Sequence, residues 1–421
     1  METRVRELLR DLAEDMPSLH VPPADLQRRA NRRIGLTVVG SFLALAVLAL
    51  GAFAGIRALV RAERPTPANT GPTVQLPPTL SGPIAFARGP ARPVGGQQVY
   101  LLRPDAAEVP LTSTADANNE PESWSPDGSR LVVQRNFAEG SQDLFLVSTD
   151  GSPEIRLTDD TAWDGEARFS PDGSMIAFAK GDSADPGGAA LYVVSADGSG
   201  VRQLAAWSGS PTSLGFSWSP DGNRVVFAQG SNPNTLDDDI YVMDVDSTGT
   251  TRLTAGDHPG KSSCTRVLGG LLNCDRFEDP AWSPDGSRIA FVGVTLAPGG
   301  EDSDTEIYVM NADGSGLTPL SGDSKLATGC ASPAWSPDGS KIVASCRSGV
   351  FVMNADGTGV TAVAPRSEDG ASWSLDGSEI AVVLTDHYIY VVNPDGTGLT
   401  RITRGLGSEW GVPLWQPQGG G

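Results

Sequence analysis

The sequence predicts an all-β protein: a ring of seven four-stranded repeats, six being the alternative count, behind one transmembrane α-helix and a short N-terminal helix. Three observations predict it. The string Trp-Ser-Pro-Asp-Gly begins at Trp124, Trp218, Trp282 and Trp335, with variants at Phe169 and at Trp373, where Leu375 replaces the proline. An alternating strand ending in Asp-Gly follows, as in Leu144 to Gly151, Leu191 to Gly198, Ile307 to Gly314, Val350 to Gly357 and Ile389 to Gly396. Before all of these, Ile34 to Ile56 runs for 23 residues without a charge.

Internal repeats at blade length are the signature of a β-propeller, and the motif aromatics fall 38 to 64 residues apart. Each motif precedes a short apolar strand, such as Ile289 to Val292 or Ile380 to Val383. The turn chemistry explains the motif. Proline presets the first central position, aspartate suits the second, and glycine takes the positive φ that closes the hairpin. These aspartates are therefore read as turn residues. Ile240 to Asp246 and Val99 to Asp105 are looser copies of the second motif, which brings the count to seven. The first copy opens directly on Ile84-Ala85-Phe86-Ala87, and the chain ends on an unpaired Pro413-Leu414-Trp415-Gln416-Pro417. Each end supplies what the other lacks, so the C-terminal strand is expected to pair into the first blade and remove the open edges.

The uncharged run exceeds the roughly 20 residues that cross a bilayer core. A secretory signal is the other reading, with Ala52-Phe53-Ala54 as a small-residue cleavage site, but 33 preceding residues are long for one. Arg28, Arg29, Arg32 and Arg33 outnumber Arg57, Arg61 and Arg64, which places the N-terminus in the cytoplasm. Val5, Leu8, Leu9 and Leu12 fall at helical spacing within Thr3 to Asp15. The expected organisation is a cytoplasmic tail at 1–33, the span at 34–56, a Pro/Thr-rich linker at 57–81 and the propeller at 82–417.

Of 31 basic and 51 acidic residues, the first 64 positions hold 10 and 7, leaving 21 and 44 for the remainder, a net charge of −23. Such a domain repels phosphate backbones, which argues against nucleic acid and leaves cations and basic proteins open as partners, the alternative being that the charge only keeps the domain in solution. All four cysteines follow the span. Cys330 and Cys346 flank the Trp335 hairpin symmetrically and are expected to face each other across two strands. Cys264 and Cys274 would then staple the longest loop, both bonds requiring an oxidising compartment. Free thiols are the alternative.

The Trp-Ser-Pro-Asp-Gly hairpins, with Ile-Tyr-Val-Met-Asn-Ala-Asp-Gly-Ser-Gly at Ile307 to Gly316, resemble the repeats of TolB-type propellers from about Gly82 to Pro417. The resemblance implies a propeller used as a binding scaffold. TolB itself is a soluble periplasmic component of the Tol-Pal system with a separate domain before its propeller, where this chain has a linker. Similar propellers cap the prolyl oligopeptidase family, whose catalytic α/β-hydrolase domain follows the blades; four residues follow Pro417 here.

Connections on the face opposite the hairpins are long and varied: Gln229 to Asp239, Gly293 to Glu306 and Ala255 to Pro280. Binding residues concentrate on such loops. Glu120, Asp164, Glu166, Glu278, Asp279, Glu368 and Asp369 precede the inner strands and are expected to ring the channel mouth as ligand-binding candidates. Convergent carboxylates suit Ca²⁺, although solvated or loop-capping acids are the plainer reading and no Asp-x-Asp-x-Asp-Gly loop is present. His258 and His387 have no partner motif, and no Gly-x-Ser-x-Gly elbow, phosphate loop or zinc spacing occurs. The expectation is a non-enzymatic single-pass membrane protein. Its extracytoplasmic propeller would bind an envelope protein, peptide or glycan. The alternatives are a metal-assisted hydrolase or lyase at the channel mouth, and a sensor signalling through the cytoplasmic helix.

Overall fold

A computed structural model describes residues 80–417, apart from 90–95, 115–116, 139, 183–184, 207–214, 231–237, 248, 255–274, 297–302, 321–328 and 405–407. The expected N-terminal helix and membrane span lie outside the described residues, as do Cys264 and Cys274. Among the described residues every regular element is a strand.

The strands form four-stranded antiparallel sets in chain order. The first set is Ser408–Trp415, Ile84–Gly89, Gln98–Leu102 and Glu108–Pro110. Inner strands Ala117–Trp124, Trp163–Phe169, Phe216–Trp218, Asp275–Trp282, Cys330–Trp335 and Ser367–Trp373 open the second to seventh sets. A single parallel bridge, Gln142 to Trp163, joins the second set to the third. The expected closure is present, with Ile84 opposite Trp415, Ala85 opposite Leu414 and Arg88 opposite Glu409. The closing strand starts earlier than the sequence suggests and ends at Trp415, before Pro417.

Two predicted loops are shorter than expected because the ladders run into polar sequence. Arg288–Leu296 pairs with Ser303–Asn311 through Gly293, Val294 and Thr295, and Arg224–Gly230 pairs with Asp238–Asp244 out to Gly230. Asp275 to Pro280 likewise belongs to an inner strand. Backbone pairing there depends on the neighbouring strand, so apolar patterning alone does not reveal it.

The hairpins behave as their chemistry dictates. Gly128, Gly173, Gly222, Gly286, Gly339 and Gly377 all have φ between 68° and 73°. In the Trp124 hairpin, Asp127 Oδ1 accepts from Ser125 Oγ at 2.6 Å and from the Ser129 amide at 3.0 Å. These bonds hold its carboxyl at about 2.

The motif aromatics fasten one set to the next. Five of the six motif indoles, all but that of Trp282, donate to the carbonyl of the residue just before the preceding set's aromatic. Trp124 reaches Leu414 O at 3.2 Å, Trp218 reaches Arg168 O at 3.1 Å, and Trp335 reaches Ala281 O at 3.0 Å. Trp373 and Trp415 repeat the contact on Ala334 O and Ser372 O. The cores lie between sets, as where Ile84, Phe86 and Trp415 of the first pack on Val383 and Ile389 of the seventh. Trp335→Phe keeps the ring but loses the donor, leaving a buried carbonyl unmet. A loss of about 1 kcal/mol is expected from urea unfolding, and an unchanged midpoint would assign the indole no fastening role.

Cys330 and Cys346 stand opposite each other in register and are joined, with Cα atoms 3.9 Å apart. Replacing both by alanine opens a bond spanning 16 residues. The expected loss is about 3 kcal/mol by chain entropy, read as a lower urea midpoint under non-reducing conditions. A shift below about 1 kcal/mol would mean that this local hairpin already restrains the unfolded chain.

Candidate functional site: the acidic ends of the inner strands

Each inner strand runs from the loop end toward its hairpin, and most bend about three residues before the aromatic. The backbone enters the left-handed region at Glu166 (φ 56°), Asp279 (φ 52°) and Ser332 (φ 52°), with Gly370 at φ 105°. The ladders slip at the same places, between Gly165 and Arg168, Glu278 and Ala281, Ala331 and Ala334, and Ser367 and Ala371. A bulge turns side chains off the regular alternation. Left-handed non-glycine residues persist only where surrounding structure holds them, and they gather at functional sites. The sets also approach closely here: a Cβ on Gly215 would stand 2.7 Å from the Asp279 Cα.

The charged groups at these bends interact across sets. The Glu122 side chain is 12% exposed and lies 3.6 Å from Arg168 Nη1, while Glu166 lies 3.8 Å from Arg168 Nη2. Glu122 Oε2 accepts the Ala167 amide at 3.1 Å, and Arg168 Nη1 donates to the Glu122 carbonyl at 3.0 Å. Burial pushes the Glu122 carboxyl up to about 8; Arg168 opposes this, and repulsion from Glu166 and Glu120 adds to it. Burial also raises Asp279 to about 6, with repulsion from Glu278 and Glu166 and partial relief from the Ser332 amide and Arg168. Glu166 and Arg168 thus act on acids of both the second and the fifth sets. A carboxyl that holds its proton near neutrality can donate a hydrogen bond or exchange a proton.

Of the seven sequence candidates, Glu120, Glu166, Glu278 and Asp279 share this electrostatic neighbourhood. Asp369 Oδ2 accepts the Gly411 amide at 3.1 Å, linking the seventh set to the first, and Glu368 lies on the same strand as Asp369. Asp164 sits elsewhere. It is buried with its Oδ1 3.3 Å from Lys180 Nζ, which also contacts Asp160. Burial raises its carboxyl, against a Thr158 hydrogen bond and Lys180. The bend after Gly165 separates Asp164 from Glu166.

Sequence reasoning missed Glu122 and Arg168. Glu122 stands two residues before Trp124, within a strand read only for its hairpin, and Arg168 directly precedes Phe169. A charge beside a core aromatic on an inner strand was the available signal. Among the described residues, no group of three or more His, Cys, Asp or Glu is placed to hold a metal ion.

Comparison with known proteins agrees on the fold. Residues 94–258 match the family model of the TolB beta propeller domain. A 68-residue segment is 34% identical to the uncharacterized peptidase YuxL of Bacillus subtilis, covering 16% of this chain and 9% of that protein. Among solved structures, a putative TolB from Agrobacterium tumefaciens is 22% identical over 74% of this chain and 91% of its own, with a TM-score of 0.43. Hydrazine synthase from Kuenenia stuttgartiensis is 16% identical over 70% of this chain and 89% of its own, with a TM-score of 0.50. The four-stranded sets and Trp-Ser-Pro-Asp-Gly hairpins of the described residues, with the family match over 94–258, support a TolB-like β-propeller.

Proposed function

We propose that this chain is a single-pass membrane protein displaying a seven-bladed, non-catalytic propeller outside the cytoplasm. The acidic end of its inner strands engages an envelope protein, peptide or glycan. The observation that carries the reading is that Glu122, Glu166 and Asp279, from three sets, all act with the exposed Arg168, while Glu120 and Glu278 repel Glu122 and Asp279. Such a mouth offers fixed acceptors, one cationic donor and two carboxyls able to donate. The seven four-stranded sets support the blade count. The uncharged run at 34–56 supports the anchor, and the Cys330–Cys346 bond fits an oxidising compartment.

The point of chain entry suits this reading. Leu80 is buried and Ser81 binds Glu379 Oε2 through its amide at 2.9 Å and its hydroxyl at 2.7 Å, beside the hairpin of the seventh blade. The acidic mouth lies at the other end of the inner strands.

The test places a photo-crosslinking amino acid at position 166 of the full chain in its native membrane, with position 313 in an exposed turn as control. A defined adduct at 166 and none at 313 is expected, weakened in Asp279→Asn. Equal adducts from both positions, or none from 166, would remove the mouth as the binding face. Turnover of a glycan by the wild type, lost in the same variant, would convert the reading to catalysis.

A further inference from the structure

At the hairpin end, away from the acidic mouth, three of the boundaries between sets are closed by an arginine. It comes from the first turn of the second strand and lies over the aromatic of the following set. The Arg130 guanidinium carbon is 5.9 Å from the Phe169 ring centre, Arg224 is 4.8 Å from Trp282, and Arg288 is 4.9 Å from Trp335. At two of these boundaries the guanidinium also caps backbone carbonyls of that following set. Arg130 Nη1 donates to Ala196 O at 3.1 Å, while Arg288 donates to Ala355 O at 3.2 Å and Gly339 O at 3.4 Å.

The boundary between the sixth and seventh sets departs from this plan. The equivalent residue is Lys341, whose ammonium donates to Asn354 Oδ1 of its own set at 3.2 Å. A cavity of about 380 Å³ opens beside it, lined by Trp373 and by Gly377 and Pro394, the counterparts of Gly339 and Ala355. Asp338 and Asp376 flank it. Hydrogen bonds from Ser336 and Ser340 hold the Asp338 carboxyl at about 2, so it stays ionised. Leu375 also lines the cavity and is 49% exposed. The space therefore presents an indole face, two peptide groups placed as those that receive Arg288, two carboxylates and an apolar rim.

We propose that this cleft is a docking site for an arginine side chain of a basic partner protein, seated over Trp373 as Arg288 is seated over Trp335. The neighbouring boundaries supply the template, and the charge complements it: 44 acidic against 21 basic residues follow position 64. Lys341 contributes one like charge, fixed on Asn354, against the two flanking carboxylates. Arginine is favoured over lysine because a planar, weakly hydrated guanidinium stacks on an indole and donates in a fork, whereas an ammonium is a hydrated point charge.

The probes are acetyl-Gly-Arg-Gly-amide and its lysine counterpart, titrated into the detergent-solubilised full chain and followed by saturation-transfer NMR. The arginine peptide is expected to bind at least about fivefold more tightly than the lysine peptide. Lys341→Arg fills the cleft from within, so it should weaken the arginine peptide at least about tenfold while leaving the melting temperature equal or higher. Trp373→Phe retains a ring but lowers its π attraction, and should narrow the preference for arginine. Undetectable binding to the wild type, equal binding of the two peptides, or undiminished binding by a folded Lys341→Arg chain would each overturn the proposal. Should Lys341→Arg fail to fold, the same decision falls to Trp373→Phe.

Discussion

A chain shortened to end at Arg404 is expected to lose cooperative folding. Ser408–Trp415 pairs with Ile84–Gly89 along one whole edge, and five of the six residues of that partner strand are buried. Without it, the Trp124 indole loses Leu414 O and the Gln416 contacts to Pro83 O and Gly128 O disappear. Arg88 loses Glu409, a fully buried carboxylate 2.9 Å away, and keeps only Glu108. Trp415 itself is 6% exposed and belongs to the core between the seventh and first sets. A lost aromatic anchor is worth about 3 to 5 kcal/mol, and the unmet edge adds to it. The sum matches the whole stability of an ordinary domain, roughly 5 to 15 kcal/mol. Thermal unfolding followed by near-ultraviolet circular dichroism checks this. A sharp transition within about 5 °C of the full-length chain would show that the ring closes by other means.

The second large effect is a fall in stability as pH rises toward 8. The Glu122 carboxyl is raised from 4.5 to about 8 and Asp279 from 3.8 to about 6. A raised acid binds its proton more tightly in the folded state, so its stabilising contribution is complete below the unfolded value and is lost as pH climbs through the folded one. For Glu122 the window is 4.5 to about 8, and for Asp279 it is 3.8 to about 6. The groups facing them are Glu120, Glu166, Glu278 and Arg168. Glu122→Gln keeps an acceptor for the Ala167 amide and removes the titration. It is expected to flatten the profile and gain about 2 to 4 kcal/mol over the wild type at pH 8.5, a value below the full shift because water and Arg168 relieve part of it. Urea midpoints at pH 5.5 and 8.5 decide it. Parallel wild-type and variant profiles would mean that the carboxyl ionises freely.

How much of this was legible depends on whether the cause was local. The six hairpin glycines follow from turn chemistry within five residues, and the Cys330–Cys346 pairing follows from symmetry about one hairpin. The fastening role of the motif tryptophans was not legible, because the indole answers a carbonyl of the preceding set, 39 to 54 positions earlier for Trp218, Trp335 and Trp373. The acid cluster was half legible. Position before an inner strand located Glu166 and Asp279, while the bend that parts Asp164 from Glu166 and brings Glu122 to Arg168 is a property of paired strands.

The exception at Leu375 also gains a reason. Elsewhere the motif proline packs on the next hairpin's glycine, with Pro126 3.2 Å and Pro171 3.7 Å from where a Cβ on Gly173 and Gly222 would stand. The set following the seventh is assembled from the two chain ends and has no inner hairpin, so proline there would meet no glycine.

That split first set has a mechanical side. Ile84–Gly89 is clasped between Gln98–Leu102 and Ser408–Trp415, antiparallel to both. Its hydrogen bonds lie across the strand axis. A force along that axis loads both ladders in shear, so the bonds share it instead of parting one after another. The clasp that closes the ring without a covalent link thus resists best a force drawn along the strand it holds.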